Sequence, residues 1–157
     1  MKIAVFASGT STTLQTLIEQ QAQYGYQVSL VVANRVCMAM ERAEKHGIPV
    51  LLSKNWEEID LSLRQYDVEL IVLAGFLAII PQWICAAWEK RIINVHPSLL
   101  PKHGGKGMYG IHVQESVLAS KDTIAGCTVH YVSEEIDGGA ILAQATVPVL
   151  AQDTPET

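Results

Sequence analysis

The sequence predicts one open α/β domain, with a sheet that runs mainly parallel and turns antiparallel at its end. Three observations predict it. From the N-terminus to Pro97, short apolar runs of strand length alternate with segments at helical spacing, the pattern of βαβ units and a parallel sheet. After Pro101 two longer strand-like runs are joined only by Ser133–Gly139, a connection short enough for an antiparallel pair. The 157 residues are 49% hydrophobic and 17% charged, which supplies one proper core but not two.

The elements follow in order. Ile3–Ala7 is an unbroken apolar run, as expected of a strand buried on both faces. Ser8-Gly9-Thr10-Ser11-Thr12-Thr13 is a small polar turn, and Leu14, Leu17 and Ile18 then recur at helical spacing. Val28–Ala33 reads as a second strand and Met38–His46 as a helix closed by Gly47. Val50–Leu52 is a short third strand and Trp56–Tyr66 a helix. Leu70–Ala74 is the most apolar strand, hence the most central. A short helix at Gln82–Trp88 leads to the strand Arg91–Val95. The glycine-rich loop Lys102–Gly110 precedes a helix at Ile111–Ala119, and Ile124–Val132 and Ala140–Val149 are the last strands. This is a Rossmann-like order. Trp56, Trp83 and Trp88 are expected in packing roles.

Composition excludes several classes. A net charge of −5 without any Lys/Arg cluster argues against a nucleic-acid partner. The longest apolar run, Leu70 to Ile80, contains Gly75 and is far short of a membrane span. Met1–Phe6 reads as a strand rather than a signal peptide. Cys37, Cys85 and Cys127 are odd in number and widely spaced, which points to reduced thiols and a cytoplasmic location. Asp153-Thr154-Pro155-Glu156 looks like a helix start, so a C-terminal helical segment is expected beyond Thr157, making 1–157 a single domain that lacks its last part.

Four constellations could carry chemistry. In Ile92-Ile93-Asn94-Val95-His96-Pro97 an apolar strand delivers two polar residues and is then broken by proline. Residues two apart share a face of a strand, so Asn94 and His96 project side by side where α/β sheets place their sites. An amide beside an imidazole suits a reaction that builds negative charge on oxygen; alternatively His96 is a structural histidine bonded to a loop carbonyl. The turn Ser8–Thr13 ends a strand and opens a helix, an anion site in form, or a plain cap by Thr10 or Ser11. It matches neither a Walker loop nor a dinucleotide fingerprint. Asp137-Gly138-Gly139 is a turn, or a carboxylate that reaches His96 and steadies its charged form. Leu73-Ala74-Gly75-Phe76-Leu77-Ala78-Ile79-Ile80 is core, or an apolar slot for a flat ring. The histidines His96, His103, His112 and His130 show no zinc spacing, and Ser98 sits in no nucleophile elbow.

Taken in this order, these residues resemble the folate-dependent formyltransferases over the whole chain. The resemblance rests on Ser8-Gly9, Leu73-Ala74-Gly75-Phe76, Asn94-Val95-His96-Pro97-Ser98-Leu99-Leu100-Pro101, Gly126-Cys127-Thr128-Val129-His130 and Asp137-Gly138-Gly139. Pro97 and the stretch Gly104–Gly107 favour the branch that formylates a glycinamide ribonucleotide. The resemblance implies Asn94, His96 and Asp137 as the catalytic trio and Ser11, Thr12 and Thr13 at the substrate phosphate. Lys54, Leu77, Ala78, Ile79, Ile80 and Asn94 fall at the folate. It implies 10-formyltetrahydrofolate as co-substrate, 5'-phosphoribosylglycinamide as acceptor, no metal, and a monomer or homodimer with neither nucleic-acid nor membrane partner. The chain departs from the family at two places. Ser11 stands where the phosphate turn usually has glycine, which costs if that position needs a positive φ, and Ala78 stands where arginine is common. The same trio also serves 10-formyltetrahydrofolate hydrolysis and methionyl-tRNA formylation. An inactive folate- or nucleotide-binding paralogue is the reading from a different class.

Overall fold

A computed structural model describes residues 1–157. Its elements are β1 (Lys2–Ala7), α1 (Thr12–Tyr24), β2 (Gln27–Ala33), α2 (Met38–Lys45), β3 (Val50–Leu52), α3 (Trp56–Gln65) and β4 (Leu70–Leu73), then α4 (Gln82–Ala87), β5 (Ile92–His96), α5 (Ile111–Ala119), β6 (Ile124–Tyr131) and β7 (Ile141–Pro148). The strand order is β3-β2-β1-β4-β5-β6-β7, an open α/β sheet with an antiparallel final pair. Every expected element is present. The differences are at the ends, where Ala74, Arg91, Val132, Ala140 and Val149 fall just outside their strands and His96 falls inside β5. The chain forms two compact units, Met1–Ile93 and Asn94–Thr157.

In the first unit β1 is the middle strand. Val5 pairs in parallel with Val31 of β2 on one side and Val72 of β4 on the other. Both faces of β1 are covered, so Val5, Phe6 and Ala7 are essentially buried, which is why the run is apolar without alternation. The helices bury residues four apart: Leu14 and Ile18 on α1, Ala39 and Ala43 on α2, Ile59 and Leu63 on α3. That spacing puts one stripe of each helix on the sheet. Asn55 caps α3 by accepting from the Glu58 amide at 3.0 Å, and Gly25 ends α1 at φ 70, a left-handed conformation that costs glycine nothing. Chain order reverses between β1 and β4, so the carboxyl ends of these two strands mark a topological switch point.

The tryptophans divide. Trp88 is 2% exposed, and its Nε1 donates to Asp60 at 2.7 Å. Trp56 lies against Phe6 and Phe76. Trp83, expected in packing, is instead 44% exposed; α4 buries Ile84 and Cys85, and Trp83 precedes them on another face.

Burial raises the Asp60 carboxyl, but hydrogen bonds from Arg64 and Trp88, with the charges of Arg64 and Arg91, outweigh burial and hold it below its ordinary value. A depressed carboxylate contributes stability that is present above its unfolded value and lost as pH falls through its folded one. Asp60→Asn is therefore expected to destabilise the chain at pH 6. The gap to wild type should close as pH falls below about 4, where an unfolded aspartate protonates. Urea melts of both proteins across that range check it.

In the second unit β6 and β7 pair antiparallel from Ile124↔Pro148 to His130↔Ile141, with an irregularity between Val129 and His130. Helix α5 buries Val113 and Val117. Thr128, fully buried, donates to the Ser98 carbonyl at 2.6 Å and accepts from the Leu100 amide at 3.0 Å. Gln144 of β7 donates to Leu100 O and to Thr128 Oγ1, both at 3.0 Å. The segment after β5 is thereby stapled to the hairpin. All residues of β7 are exposed. No helix is long and apolar enough to cross a membrane.

Candidate functional site

Two groups of predicted residues are positioned, one in each unit. In the first unit the turn after β1 meets the loop after β4 at the switch point. The Ser8 amide donates to Gly75 O at 3.1 Å, and the Leu77 amide donates to Ser8 Oγ at 2.9 Å. Ser8 Oγ donates in turn to Asn34 Oδ1 at 2.8 Å. Gly75 takes φ 70, and after it the chain swings outward. Leu77 is 46% and Ile79 76% exposed, while Ala78 and Ile80 are partly covered. After Gly75 this apolar stretch is surface, while Leu73 and Ala74 before it are core. Lys54 is exposed in the loop between β3 and α3.

Ser11 is the N-cap of α1. Its Oγ accepts from the Leu14 amide at 3.3 Å and donates to Ala74 O at 3.3 Å, so the capping reading holds. The helix starts at Thr12, and the first-turn amides that intrahelical bonds leave over face this end. Two cations that the sequence did not single out brace the turn. Arg35 Nε donates to Ser8 O at 2.6 Å, and Arg42 Nε donates to Thr10 O at 2.9 Å. No spacing rule marks them, because each binds a backbone carbonyl across a separate loop.

Ser11 sits at φ 43, ψ 65, the left-handed region that the glycine common at this place in the family would occupy without strain. A non-glycine residue there costs about 1–2 kcal/mol, and replacing a serine cap by glycine loses only a few tenths. The hydroxyl bond to Ala74 O offsets part of the gain. Ser11→Gly is expected to stabilise the protein by roughly 0.5–1 kcal/mol, read as a higher denaturant midpoint at unchanged slope.

In the second unit Asn94, His96 and Asp137 come together, and His130 joins them. His96 is 4% exposed. Its Nε2 lies 3.0 Å from the His103 carbonyl, which can only accept, so Nε2 carries a proton. Its Nδ1 lies 3.5 Å from Asp137 Oδ1. Both ring nitrogens face acceptors, and the doubly protonated ring satisfies both. Asp137 is itself held, its Oδ2 accepting from the Gly105 amide at 2.9 Å. It stands at φ 55, a conformation aspartate tolerates. Gly139 follows where a Cβ would collide with the Tyr131 carbonyl, and the second glycine is thus required by close backbone approach.

Asn94 is oriented by His130. The His130 Nδ1 lies 2.9 Å from Tyr131 O, and its Nε2 lies 3.1 Å from Asn94 Nδ2 and 3.7 Å from Asp137 Oδ1. The Asn94 amide keeps an N–H for another acceptor. From the sequence His130 is a member of the Gly126–His130 motif with no assigned role. The available signal was Thr128 and His130 two apart on one strand, two polar side chains on the same face. No group of three His, Cys, Asp or Glu side chains is disposed to hold a metal ion.

A family model described as formyl transferase matches residues 1–157. The chloroplastic phosphoribosylglycinamide formyltransferase of Arabidopsis thaliana is 43% identical over 168 residues, taking in 99% of this chain and 58% of that protein. The human trifunctional purine biosynthetic protein adenosine-3 is 36% identical over 168 residues, which are 99% of this chain and 16% of the human one. The crystal structure of phosphoribosylglycinamide formyltransferase from Anaplasma phagocytophilum superposes with a TM-score of 0.92 at 37% identity, covering 99% of this chain and 76% of that one. The chain thus spans little more than half the length of the plant relative.

Proposed function

We propose that this chain, which belongs to the formyl transferase family, transfers a formyl group from 10-formyltetrahydrofolate to the amine of 5'-phosphoribosylglycinamide, a step of purine biosynthesis. What supports the acceptor is the match to relatives described as phosphoribosylglycinamide formyltransferase. What carries the chemistry is one geometric fact: the buried His96 ring stands between the His103 carbonyl and the Asp137 carboxylate, with Asn94 two residues away on the same strand.

The amine nitrogen attacks the formyl carbon, and the carbonyl electron pair moves to oxygen. The free N–H of Asn94 and the Nε2–H of His96 donate to that oxyanion, the largest contribution expected in acyl transfer. Nε2–H leaves a neutral carbonyl for a charged oxygen, and charge-assisted hydrogen bonds are about twice as strong. When the intermediate collapses, the bond from carbon to the folate nitrogen breaks. His96 protonates that nitrogen, and the surplus proton of the attacking amine returns to the His96–Asp137 pair. Asp137 keeps the ring oriented throughout. Ser11, Thr12 and Thr13 hold the substrate phosphate at the start of α1, and Leu77, Ala78, Ile79 and Ile80, with Lys54, receive the folate. No step calls on a metal. Residues 1–157 act as one formyltransferase domain, as a monomer or homodimer. Its cysteines, none of them in a disulfide, suit a reducing compartment, the cytoplasm by composition; the description chloroplastic attaches to the plant relative.

Incubating the purified chain with both substrates tests the reading. The expected result is formylated ribonucleotide in step with tetrahydrofolate. Tetrahydrofolate and formate without that product would make it a hydrolase, and binding without turnover a paralogue that has lost its chemistry.

A further inference from the structure

Behind His96 lies a second polar cluster that the proposed mechanism leaves unused. The carbonyl that holds His96 Nε2 belongs to His103, and the His103 side chain is clamped on both sides. Its Nε2 lies 2.9 Å from Asp122 Oδ2 and its Nδ1 2.8 Å from Ser116 Oγ. A carboxylate only accepts, so Nε2 is protonated; Nδ1 pairs with the Ser116 hydroxyl, which can donate or accept, and every polar atom of the ring is used. The ring is 11% exposed. Lys102 Nζ holds the other side of Asp122 at 3.0 Å. The backbone at His103 is left-handed, φ 54, a conformation that costs a bulky residue energy unless its surroundings over-determine it. The same carbonyl also receives Ser98 Oγ at 3.4 Å.

The order Ser116–His103–Asp122 has the membership of a nucleophilic triad but not its setting. Ser116 lies inside helix α5, where neighbouring amides are engaged by the helix and no oxyanion donors remain. The cluster does something else. It holds a strained backbone in place, and that backbone presents the acceptor for the acid of the site.

We propose that His103 is a positioning residue for His96: the Ser116–His103–Asp122 clamp fixes the carbonyl that sets the orientation and the protonated nitrogen of the His96 ring. The inference rests on the formyl-transfer reading for its kinetic consequence and on geometry alone for its structural one. Hydrogen bonds from His103, then from Lys102, hold the Asp122 carboxyl below its ordinary value, in keeping with a clamp that is charged at neutral pH.

The test uses Asp122→Asn, Ser116→Ala and Ser116→Thr in the full chain, each checked for an intact unfolding transition. His103→Ala is avoided because it removes a buried ring. A small misplacement of a catalytic group costs up to about 10²-fold. The clamp variants Asp122→Asn and Ser116→Ala are therefore expected to lower kcat roughly ten- to hundred-fold with KM for both substrates unchanged, while Ser116→Thr, which keeps the hydroxyl, restores it. In nitrogen-15 spectra the His96 Nε2–H resonance should be sharp in wild type and Ser116→Thr, and exchange-broadened or lost in the other two. Unchanged kcat together with an unchanged His96 resonance overturns the proposal, as does a loss confined to KM. If wild type transfers no formyl group, the functional reading falls and the resonance alone decides the positioning role.

Discussion

His96→Ala is expected to lower kcat for formyl transfer by on the order of 10²–10³-fold, the usual loss when one oxyanion donor is removed. The ring is buried, and its two nitrogens face the His103 carbonyl and Asp137. Alanine removes the donor and leaves both acceptors facing a cavity. Water filling that cavity would donate to them without being held in the ring's place. The KM values should move little, because His96 meets the formyl oxygen most strongly once charge has developed there. Steady-state rates with both substrates varied check this. Near-normal turnover by the folded variant would remove His96 from the mechanism. Unfolding of the same preparation must be followed, since losing a buried ring also costs stability.

Asp137→Asn is expected to cost roughly 10²–10⁴-fold in kcat, the scale on which neutralising the carboxylate behind a catalytic histidine acts. Asparagine tolerates the left-handed backbone that Asp137 adopts, and its carbonyl oxygen can still accept from the Gly105 amide. The change therefore removes charge while keeping shape. The His96 ring loses the carboxylate that faces its Nδ1 at 3.5 Å. A folded variant with full activity would show that Asp137 serves only to anchor the glycine-rich loop. The His96→Ala and Asp137→Asn losses should not add when combined, since both groups act as one unit.

Much of this was legible in the sequence, for identifiable reasons. The buried strands β1, β2 and β4 announce themselves because both faces are covered and their runs are apolar, broken only by Ser29 in β2, whose hydroxyl donates to the Ile3 carbonyl. The helices show because residues such as Leu14 and Ile18, four apart, face the sheet. Asn94 and His96 could be paired from the period of a strand alone, but their meeting with Asp137 could not. That contact spans two elements and a loop, so the residues alone offered Asp137 as a partner for His96 only as one of two readings, and the resemblance to a family favoured it. His130 stayed hidden as well: its partners Asn94 and Asp137 reach it from another strand and from the hairpin connection. The His103 clamp draws on residues from a loop, a helix and a turn, with no periodicity to betray it. At Ser11 the sequence posed the question and the backbone answers it, since the positive φ is there and is occupied by serine.

The Asp137 carboxylate gathers a strand, the hairpin connection and a glycine-rich loop, and its bond to Gly105 closes a separation of 32 residues. Closures of that length carry an entropic cost before any contact repays it, and they slow folding. A chain that has built β5 but not yet brought the hairpin connection back holds His96 without its carboxylate.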